Sequence, residues 1–283
     1  MSTIVLFGAT GFLGRQVREL LAGDPRPAQL VCPGRADLDL LSADPGAVAA
    51  FLREVAPSVV LNCVGRMSGG HAELFRGNAG VTALLLEAMA VAAPRARFVR
   101  LGSAAEYGPV PYGHVQHEED PARPITAYGI SHLAGTLLVE RTREIDGLSL
   151  RVFNPVGPGI SADNVLGRAR ELMRAGRADL GPLGAMRDFV DVRDVADAVV
   201  RAAFVAEPAE RVINVGSGRA VAVREAVKLL AEVCGFTGEI RESALASGRA
   251  GAAPWSRADV GRAWDVLGWR PSIPLADSIK AMA

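Results

Sequence analysis

Three glycines near the N-terminus stand at a spacing that suits a phosphate-binding turn. Gly8, Gly11 and Gly14 follow the apolar run 3–7 and precede a helical pattern over 15–21. Here Gly8 permits a tight turn, Gly11 lets the backbone approach a pyrophosphate, and Gly14 lets the helix pack closely on the strand. The helix adds free N–H groups and the positive end of its dipole. The spacing predicts a dinucleotide site; a glycine-rich turn without a ligand is the alternative.

A second set of candidate functional residues, with polar side chains, follows later in the chain. Ser103 comes after the predicted strand 97–101, and Tyr128 opens the predicted helix 127–145. His132 is one helical turn after Tyr128, so the two lie on the same helix face. Strand ends and helix starts beside a nucleotide turn are where open α/β sheets bind ligands. We predict an active site at these residues; the alternative is a turn serine and a packed aromatic.

The elements that must position these residues alternate between strand and helix patterns. Strands are predicted at 3–7, 29–32, 58–64, 97–101, 148–153 and 211–215, and helices at 15–21, 44–55, 81–93, 127–145 and 192–206. Such alternation is typical of a parallel sheet with helices on its faces. The predicted fold class is α/β: a doubly wound parallel sheet of the Rossmann type with a smaller C-terminal substrate lobe. We expect the dinucleotide-binding domain at 1–154, with 187–215 returning to it, and the lobe at 155–186 and 216–283.

Composition narrows the classes of partner. The 283 residues carry 31 basic and 31 acidic side chains, so neither a nucleic acid nor an anionic membrane is expected as a partner. We see no apolar run of membrane-span length and no signal peptide before the first strand. The scattered Cys32, Cys63 and Cys234 favour a reducing cytoplasm. Helices 81–93 and 127–145 are apolar on more than one face, which favours a homodimer, although the monomer itself could cover them.

Several motifs occur in a specific order along the chain. After the glycines come Asn78 in NAGVTALLLEA, RVFNPVGPG from Arg151, RDFVDVRDVA from Arg187, NVGSG from Asn214 and LGWRP from Leu267. Over nearly its whole length the chain resembles the extended short-chain dehydrogenases/reductases, the NAD(P)-dependent nucleotide-sugar epimerases, dehydratases and reductases. The resemblance implies that Tyr128 exchanges a proton with a substrate oxygen that Ser103 hydrogen-bonds. A hydride moves between the nicotinamide and a sugar carbon, because no side chain can carry one.

The resemblance also implies binding residues. The substrate would be held by Ser103, Asn154 and Arg187, since the fork of an arginine meets two diphosphate oxygens at once. Arg249 and Arg257 are further candidates, with ordinary surface charge as the alternative. The cofactor would lie against Gly8, Thr10, Gly11, Phe12, Leu13, Gly14, Arg35, Asp39, Leu40, Cys63, Val64, Gly65, Asn78, Tyr128 and His132.

The end of the second strand predicts which cofactor is preferred. An acid about 20 residues after the glycines would bind the ribose 2′-hydroxyl of NAD. The chain has Cys32-Pro33-Gly34-Arg35 at the strand end, with no acid there, and Arg35 suits a 2′-phosphate. We expect NADP(H); NAD(H), with Arg35 a solvated loop residue, is the alternative.

The chain departs from the family pattern at His132, where the family has a lysine that holds the nicotinamide ribose and lowers the pKa of the tyrosine. A free imidazole titrates at about pH 6.5, so His132 should be mostly neutral at pH 7 and stabilise tyrosinate less. Ketone reduction needs a protonated Tyr128, whereas an epimerase must also oxidise. His132 therefore favours a ketoreductase. A dehydratase is disfavoured, because its relatives carry an Asp-Glu pair where this chain has Ala104-Ala105.

The resulting hypothesis is a cytoplasmic, homodimeric, NADP(H)-dependent ketoreductase whose partner is a small molecule, a nucleotide-diphosphate-linked keto-deoxy sugar. The alternatives are a nucleotide-sugar epimerase, a ketoreductase of another natural-product ketone such as a polyketide, and a non-catalytic NADP(H)-binding protein. No metal site is expected. His114 and His117 have no third His or Cys nearby, and their loop is interpreted as a mobile polar lid.

Overall fold

Residues 2–243 and 253–283 are described by the structure, a computed structural model. The strands are β1 (Thr3–Phe7), β2 (Gln29–Val31), β3 (Val59–Asn62), β4 (Arg97–Ser103), β5 (Gly147–Val152), β6 (Pro155–Val156), β7 (Asp179–Leu180), β8 (Met186–Asp188), β9 (Val190–Asp191), β10 (Val212–Val215), β11 (Ala220–Ala222) and β12 (Arg241–Glu242). The α-helices are α1 (Phe12–Ala22), α2 (Pro45–Val55), α3 (His71–Phe75), α4 (Val81–Ala92), α5 (Ala127–Arg141), α6 (Val165–Arg174), α7 (Val192–Phe204), α8 (Val223–Val233), α9 (Gly261–Leu267) and α10 (Leu275–Met282).

The central sheet has six strands in the order β2-β1-β3-β4-β5-β10. Every neighbouring pair is parallel, with Val5 opposite Val60 and Leu61 opposite Val99, for example. All six predicted strands are confirmed, as is the doubly wound fold. The chain order reverses at β1, between β2 and β3, and at such a point parallel sheets bind ligands beyond their carboxyl ends.

Both faces of the sheet are covered, because successive strand residues point to opposite sides. Ile4 and Leu6 pack with α1, α7 and α9 on one face. Val5 and Phe7 pack with α2 and α4 on the other. Strands buried on both faces are apolar without interruption, as in Thr3–Phe7, and so their sequence pattern is strong.

A third apolar cluster lies in the C-terminal part of the chain. It joins α6, α8 and α10, and Phe12 from the start of α1 packs against it. Part of the predicted lobe packs elsewhere, since Ala263 and Leu267 of α9 and the fully buried Trp269 belong to the cluster of the main sheet. Apolar periodicity could not assign α9 to one side or the other.

The helix before β4 begins earlier than predicted. α3 runs through a π-helical turn, Arg76–Gly80, directly into α4. The resulting helical run His71–Ala92 is long and apolar enough to cross a membrane by length and composition alone. However, 56% of its most apolar window is buried within the protein, as expected of a core helix. The predicted helix begins at Val81, so the sequence pattern indicated no apolar run of this length.

Candidate active site

The glycine turn has a backbone that only glycine can form. Gly8 has a φ of +77°, and a side chain there would place its Cβ 2.7 Å from the carbonyl carbon of Cys63. A Cβ at Gly14 would overlap the carbonyl oxygen of Gly8. The Gly11 N–H donates to that same oxygen over 3.0 Å. The turn therefore holds the start of α1 directly against the ends of β1 and β3.

The start of α1 fits a pyrophosphate. Gly11 is its N-cap residue and has no side chain to satisfy the first N–H groups, and the described residues supply no side-chain cap. Thr10 and Gly11 are exposed. Phe12 and Leu13 turn into the lobe and sheet clusters respectively, so they hold the helix start in place. Free N–H groups at a helix start bind anions, and this cradle suits the phosphates of a dinucleotide.

The other residues predicted to meet the cofactor lie along neighbouring strand ends. Arg35 is exposed just after β2, while Asp39 accepts a hydrogen bond from the Leu41 N–H and Leu40 is buried. Cys63, Val64 and Gly65 follow β3; Gly8 lies against the backbone of Cys63 and Val64, and Gly65 lies beside the Asn78 Oδ1. Burial raises the pKa of the Cys63 thiol to about 12, so this cysteine is a packing residue at neutral pH.

Asn78 lies within the π-helical turn and connects the loop after β3 to helix α5. Its Oδ1 accepts from the Arg66 N–H over 2.7 Å, and its Nδ2 donates to the Arg66 carbonyl and to the Ser131 hydroxyl, each over 3.0 Å. The loop after β3 is thereby tied to α5. These contacts give Asn78 a positioning role.

Ser103 and Tyr128 stand on elements that touch. Ser103 ends β4, and its Oγ accepts from the Ala105 N–H over 3.2 Å. Tyr128 is the second residue of α5, whose start is capped by the Thr126 hydroxyl. A Cβ at Gly129 would overlap the Ala105 carbonyl oxygen, so α5 begins directly against the turn after Ser103.

His132 lies beneath Tyr128 on α5. The two rings are 4.6 Å apart between centroids and meet edge to face at 63°. His132 is 7% exposed, and burial together with the charge of Arg100 holds its pKa well below the ordinary value. The imidazole is therefore neutral at pH 7, as the sequence suggested, and burial is the larger cause.

Arg100 was missed by the sequence analysis. It lies on β4, is 2% exposed, and its Nη2 is 3.4 Å from the His132 Nδ1. Its Nη1 donates to the Thr136 and Ser149 hydroxyls over 2.8 and 2.9 Å. The available signal was a charged residue inside the apolar run of β4, which buried strands rarely tolerate without a partner.

Glu106, the acid nearest to the Ala104-Ala105 pair, is fully buried and already engaged. Its Oε1 accepts from the Ser103 N–H and its Oε2 from the Nε of Arg151, both over 2.9 Å. A carboxylate held in this way by a neighbouring guanidinium has no position from which to serve as a second acid for elimination.

Asn154 and Arg187 lie together at the edge of the lobe. Asn154, with an unusual φ of +21°, donates from Nδ2 to the carbonyl of Asp188, the residue after Arg187. Burial lowers the pKa of Arg187, and no carboxylate in the described part of the chain lies within 4.0 Å of it. Of the two further arginines, Arg257 is exposed and donates to the Gly218 carbonyl, and Arg249 lies outside the described residues.

The loop between Ser103 and Tyr128 is docked on the C-terminal segment. Gln116, 1% exposed, pairs through its backbone with Arg257 and Asp259. His114 bonds to Asp120 over 2.6 Å, and the Trp255 indole donates to the His114 carbonyl. Within residues 2–243 and 253–283, no group of three or more His, Cys, Asp or Glu side chains could hold a metal. These contacts dock the loop on the C-terminal segment, and its role as a mobile polar lid stays a prediction.

Comparison with known proteins identifies the family. A family model described as the NAD dependent epimerase/dehydratase family matches residues 4–216. The dTDP-6-deoxy-L-talose 4-dehydrogenase (NAD(P)(+)) of Kitasatospora kifunensis is 37% identical over 99% of this chain and 94% of its own length. The GDP-6-deoxy-D-mannose reductase of Pseudomonas aeruginosa is 30% identical over 97% and 94%.

A solved structure gives the same answer for the fold. RMD from Pseudomonas aeruginosa, complexed with NADPH, matches 99% of this chain and 97% of its own with a TM-score of 0.85 at 27% identity. UDP-glucose 4-epimerases are also among the similar proteins. The chain therefore belongs to the NAD dependent epimerase/dehydratase family, and it is an NAD(P)-dependent enzyme of the extended short-chain dehydrogenase/reductase group, as the order of its motifs predicts.

Proposed function

We propose that this protein is an NADP(H)-dependent ketoreductase that acts on a nucleotide-diphosphate-linked keto-deoxy sugar. The observation that carries the proposal is the packing of Gly129 on Ala105. It brings the element that bears Tyr128 to the end of the strand that bears Ser103. Both stand at the carboxyl edge of the same sheet as the glycine turn, where a bound nicotinamide supplies the hydride.

Tyr128 acts as the proton donor and Ser103 as its partner in this proposal. The ketone oxygen accepts a hydrogen bond from the Ser103 hydroxyl while the Tyr128 hydroxyl gives up its proton to the same oxygen. A phenol with a pKa of about 10 is already protonated at neutral pH, so the donor needs no activation. Because His132 is neutral, it adds no charge that would deprotonate Tyr128 in the resting enzyme.

The contacts of Glu106 favour reduction over dehydration, since this acid, the nearest to Ser103, already forms an ion pair with Arg151. The epimerase alternative predicts interconversion of nucleotide sugars without net oxidation of NADPH. The polyketide alternative predicts no use for Arg187. The non-catalytic alternative predicts cofactor binding without turnover.

The substrate class rests on Arg187 and on the relatives. A partly buried guanidinium with no carboxylate partner among the described residues is suited to an anion, and a diphosphate presents two oxygens to its fork. The two relatives carry in their names 6-deoxy sugars linked to dTDP and GDP. For the cofactor, Arg35 is exposed at the end of β2, where a 2′-phosphate would lie.

The test is NADPH oxidation, followed by absorbance, with a dTDP-4-keto-6-deoxyhexose. We expect Tyr128→Phe to lower kcat by about a thousandfold, because it removes the proton donor. Tyr112→Phe is the matched control, since Tyr112 is 76% exposed and stacks on Trp255. Arg187→Ala should raise KM about tenfold or more, with the exposed Arg241→Ala as its control.

Each outcome discriminates between the hypotheses. Turnover that survives Tyr128→Phe would contradict the assigned proton donor. Turnover that is insensitive to Arg187→Ala would favour a ketone without a diphosphate. Tight NADPH binding without turnover of any keto sugar would support the non-catalytic alternative.

The oligomeric state and location belong to the same proposal. Phe75, Ile130, Leu137 and Val91 are between 40% and 65% exposed on the helices α3, α5 and α4. Their exposure supports a homodimer through these helices, testable by light scattering of wild type and Leu137→Glu. The free Cys32, Cys63 and Cys234 support a cytoplasmic location.

A further inference from the structure

Arg100 is a buried cation whose partners are all uncharged. It lies between the sheet and α5, with its Nη1 on the Thr136 and Ser149 hydroxyls and the His132 carbonyl. Its Nε has no hydrogen-bond partner among the residues that the structure describes. Across residues 2–243 and 253–283, no carboxylate lies within 4.0 Å of this guanidinium. Burying a charge without a direct ion pair is costly, and the carboxylate of Glu106 acts on Arg100 only from beyond 4.0 Å.

The contact between Arg100 and His132 fixes the tautomer of the imidazole. A guanidinium has only donors, so the Nη2 that lies 3.4 Å from Nδ1 must donate to it. Nδ1 is then an acceptor without a proton, and the single proton of the neutral ring is on Nε2. His132 consequently has an N–H donor to offer on its other side.

Arg100 also acts on Tyr128, whose ring stacks edge to face on that imidazole. Burial lowers the pKa of Arg100, whereas the charge of Glu106 and a negative charge on Tyr128 both raise it. The attraction is mutual, so the guanidinium favours a phenolate at Tyr128.

We propose that Arg100 supplies the fixed positive charge of this active site and holds His132 as a neutral imidazole with its proton on Nε2. Arg100 then supplies the positive charge, and His132 supplies a hydrogen-bond donor. The inference rests on the proposed role of Tyr128. When Tyr128 protonates the ketone oxygen, its O–H bond breaks, its electron pair stays on the phenolate, and the new O–H bond forms on the substrate as the hydride reaches the carbon. Arg100 stabilises the phenolate that remains, and is a positioning residue.

Other charged groups around α5 do not supply this charge. Arg151 of β5 is neutralised by Glu106 of the turn after β4. The charged and titratable groups of the α3–α4 run are exposed: His71, Glu73, Arg76 and Glu87. Those at the far end of α5, away from Tyr128, are Glu140, Arg141 and Arg211, which donates to the Val139 carbonyl.

The first test needs no variant of Arg100. In the 15N NMR spectrum of the cofactor-free protein, the His132 ring, identified by its loss in His132→Gln, should remain neutral from pH 8 to below pH 6 with its proton on Nε2. A ring that titrates at about pH 6.5, or that carries its proton on Nδ1, would overturn the proposal.

The second test follows the ionisation of Tyr128 by ultraviolet absorbance, as the difference between each protein and its Tyr128→Phe counterpart. Arg100→Lys should leave the titration near that of wild type. Arg100→Met should move it upward by about one pH unit, because the charge is lost. Ser149→Ala is the matched control that removes a hydrogen-bond partner of Arg100 and keeps the charge. Equal titrations in wild type and Arg100→Met would refute the electrostatic role.

The two tests separate this inference from the proposed function. Both use the protein without substrate, so a failure to reduce keto sugars would remove the function and leave these titrations interpretable. Should Arg100→Met fail to fold, the wild-type spectrum of His132 decides alone.

Discussion

Two buried arginines occupy neighbouring strands beside the active site, and their surroundings differ. Arg151 on β5 is 4% exposed, bonds to Glu106 and lies over the Tyr107 ring at 4.6 Å. Arg100 on β4 is just as buried, but its partners are hydroxyls, a carbonyl and an imidazole. The ion pair between Arg151 and Glu106 stabilises the fold. The charge of Arg100, which has no ion pair among the described residues, acts instead on His132 and Tyr128.

The largest expected effect comes from breaking the ion pair between Arg151 and Glu106. Glu106→Gln leaves Arg151 charged and unpaired in the core, so the free energy of unfolding should fall by about 3–5 kcal/mol. Urea denaturation measures it. Glu239→Gln, which breaks the exposed pair with Arg241, is the control and should leave the free energy of unfolding almost unchanged. Arg100→Met breaks no ion pair. If it lowers the free energy of unfolding as much as Glu106→Gln does, the two arginines do not differ in how they contribute to stability.

An intermediate effect is expected on the pH dependence of stability. Burial and Arg100 keep the pKa of His132 well below 6.5 in the folded protein, whereas the unfolded chain takes up this proton below about pH 6.5. The unfolded state therefore binds more protons in that range, and stability falls as the pH falls. Between pH 7.5 and 5.5 the contribution is about 1.4 kcal/mol, measured as the difference between wild type and His132→Gln in urea. Parallel pH profiles for the two proteins would show that His132 titrates normally when folded.

The smallest effect tests whether the charge itself matters. Arg100→Met with His132→Lys moves the positive charge from β4 to α5, one turn from Tyr128. We expect alcohol oxidation at neutral pH to be about fivefold faster in this double variant than in Arg100→Met alone, because tyrosinate is again stabilised. Initial rates of NADP+ reduction measure it. A double variant no faster than Arg100→Met would place the function of Arg100 in packing.

The sheet and the glycine turn were predictable from sequence because their signals are local. Strands buried on both faces are uninterrupted apolar runs, and Gly8 and Gly14 are required by the backbone itself. Tyr128 and Ser103 could be placed at strand and helix ends for the same reason. Their roles, and those of the cofactor and substrate residues, remain predictions.

What the sequence did not predict depends on contacts between distant segments. Arg100 meets His132 and Ser149 only because β4 pairs with β5 and α5 packs on both strands. The helical turn 71–80 was missed because Gly77 and Gly80 weaken its pattern, and its π-helical turn is stabilised by Asn78 bonding to Arg66. The docking of the 109–120 loop depends on partners at 254–259, which no local pattern reveals.

That docked loop has a consequence for how the enzyme is made. Gln116 lies between Ser103 and Tyr128 in the chain, yet its backbone partners are Arg257 and Asp259. During synthesis, the loop leaves the ribosome before those partners do, and domains generally fold as units. The segment that joins Ser103 to Tyr128 can therefore reach its final conformation only after residue 259 has emerged.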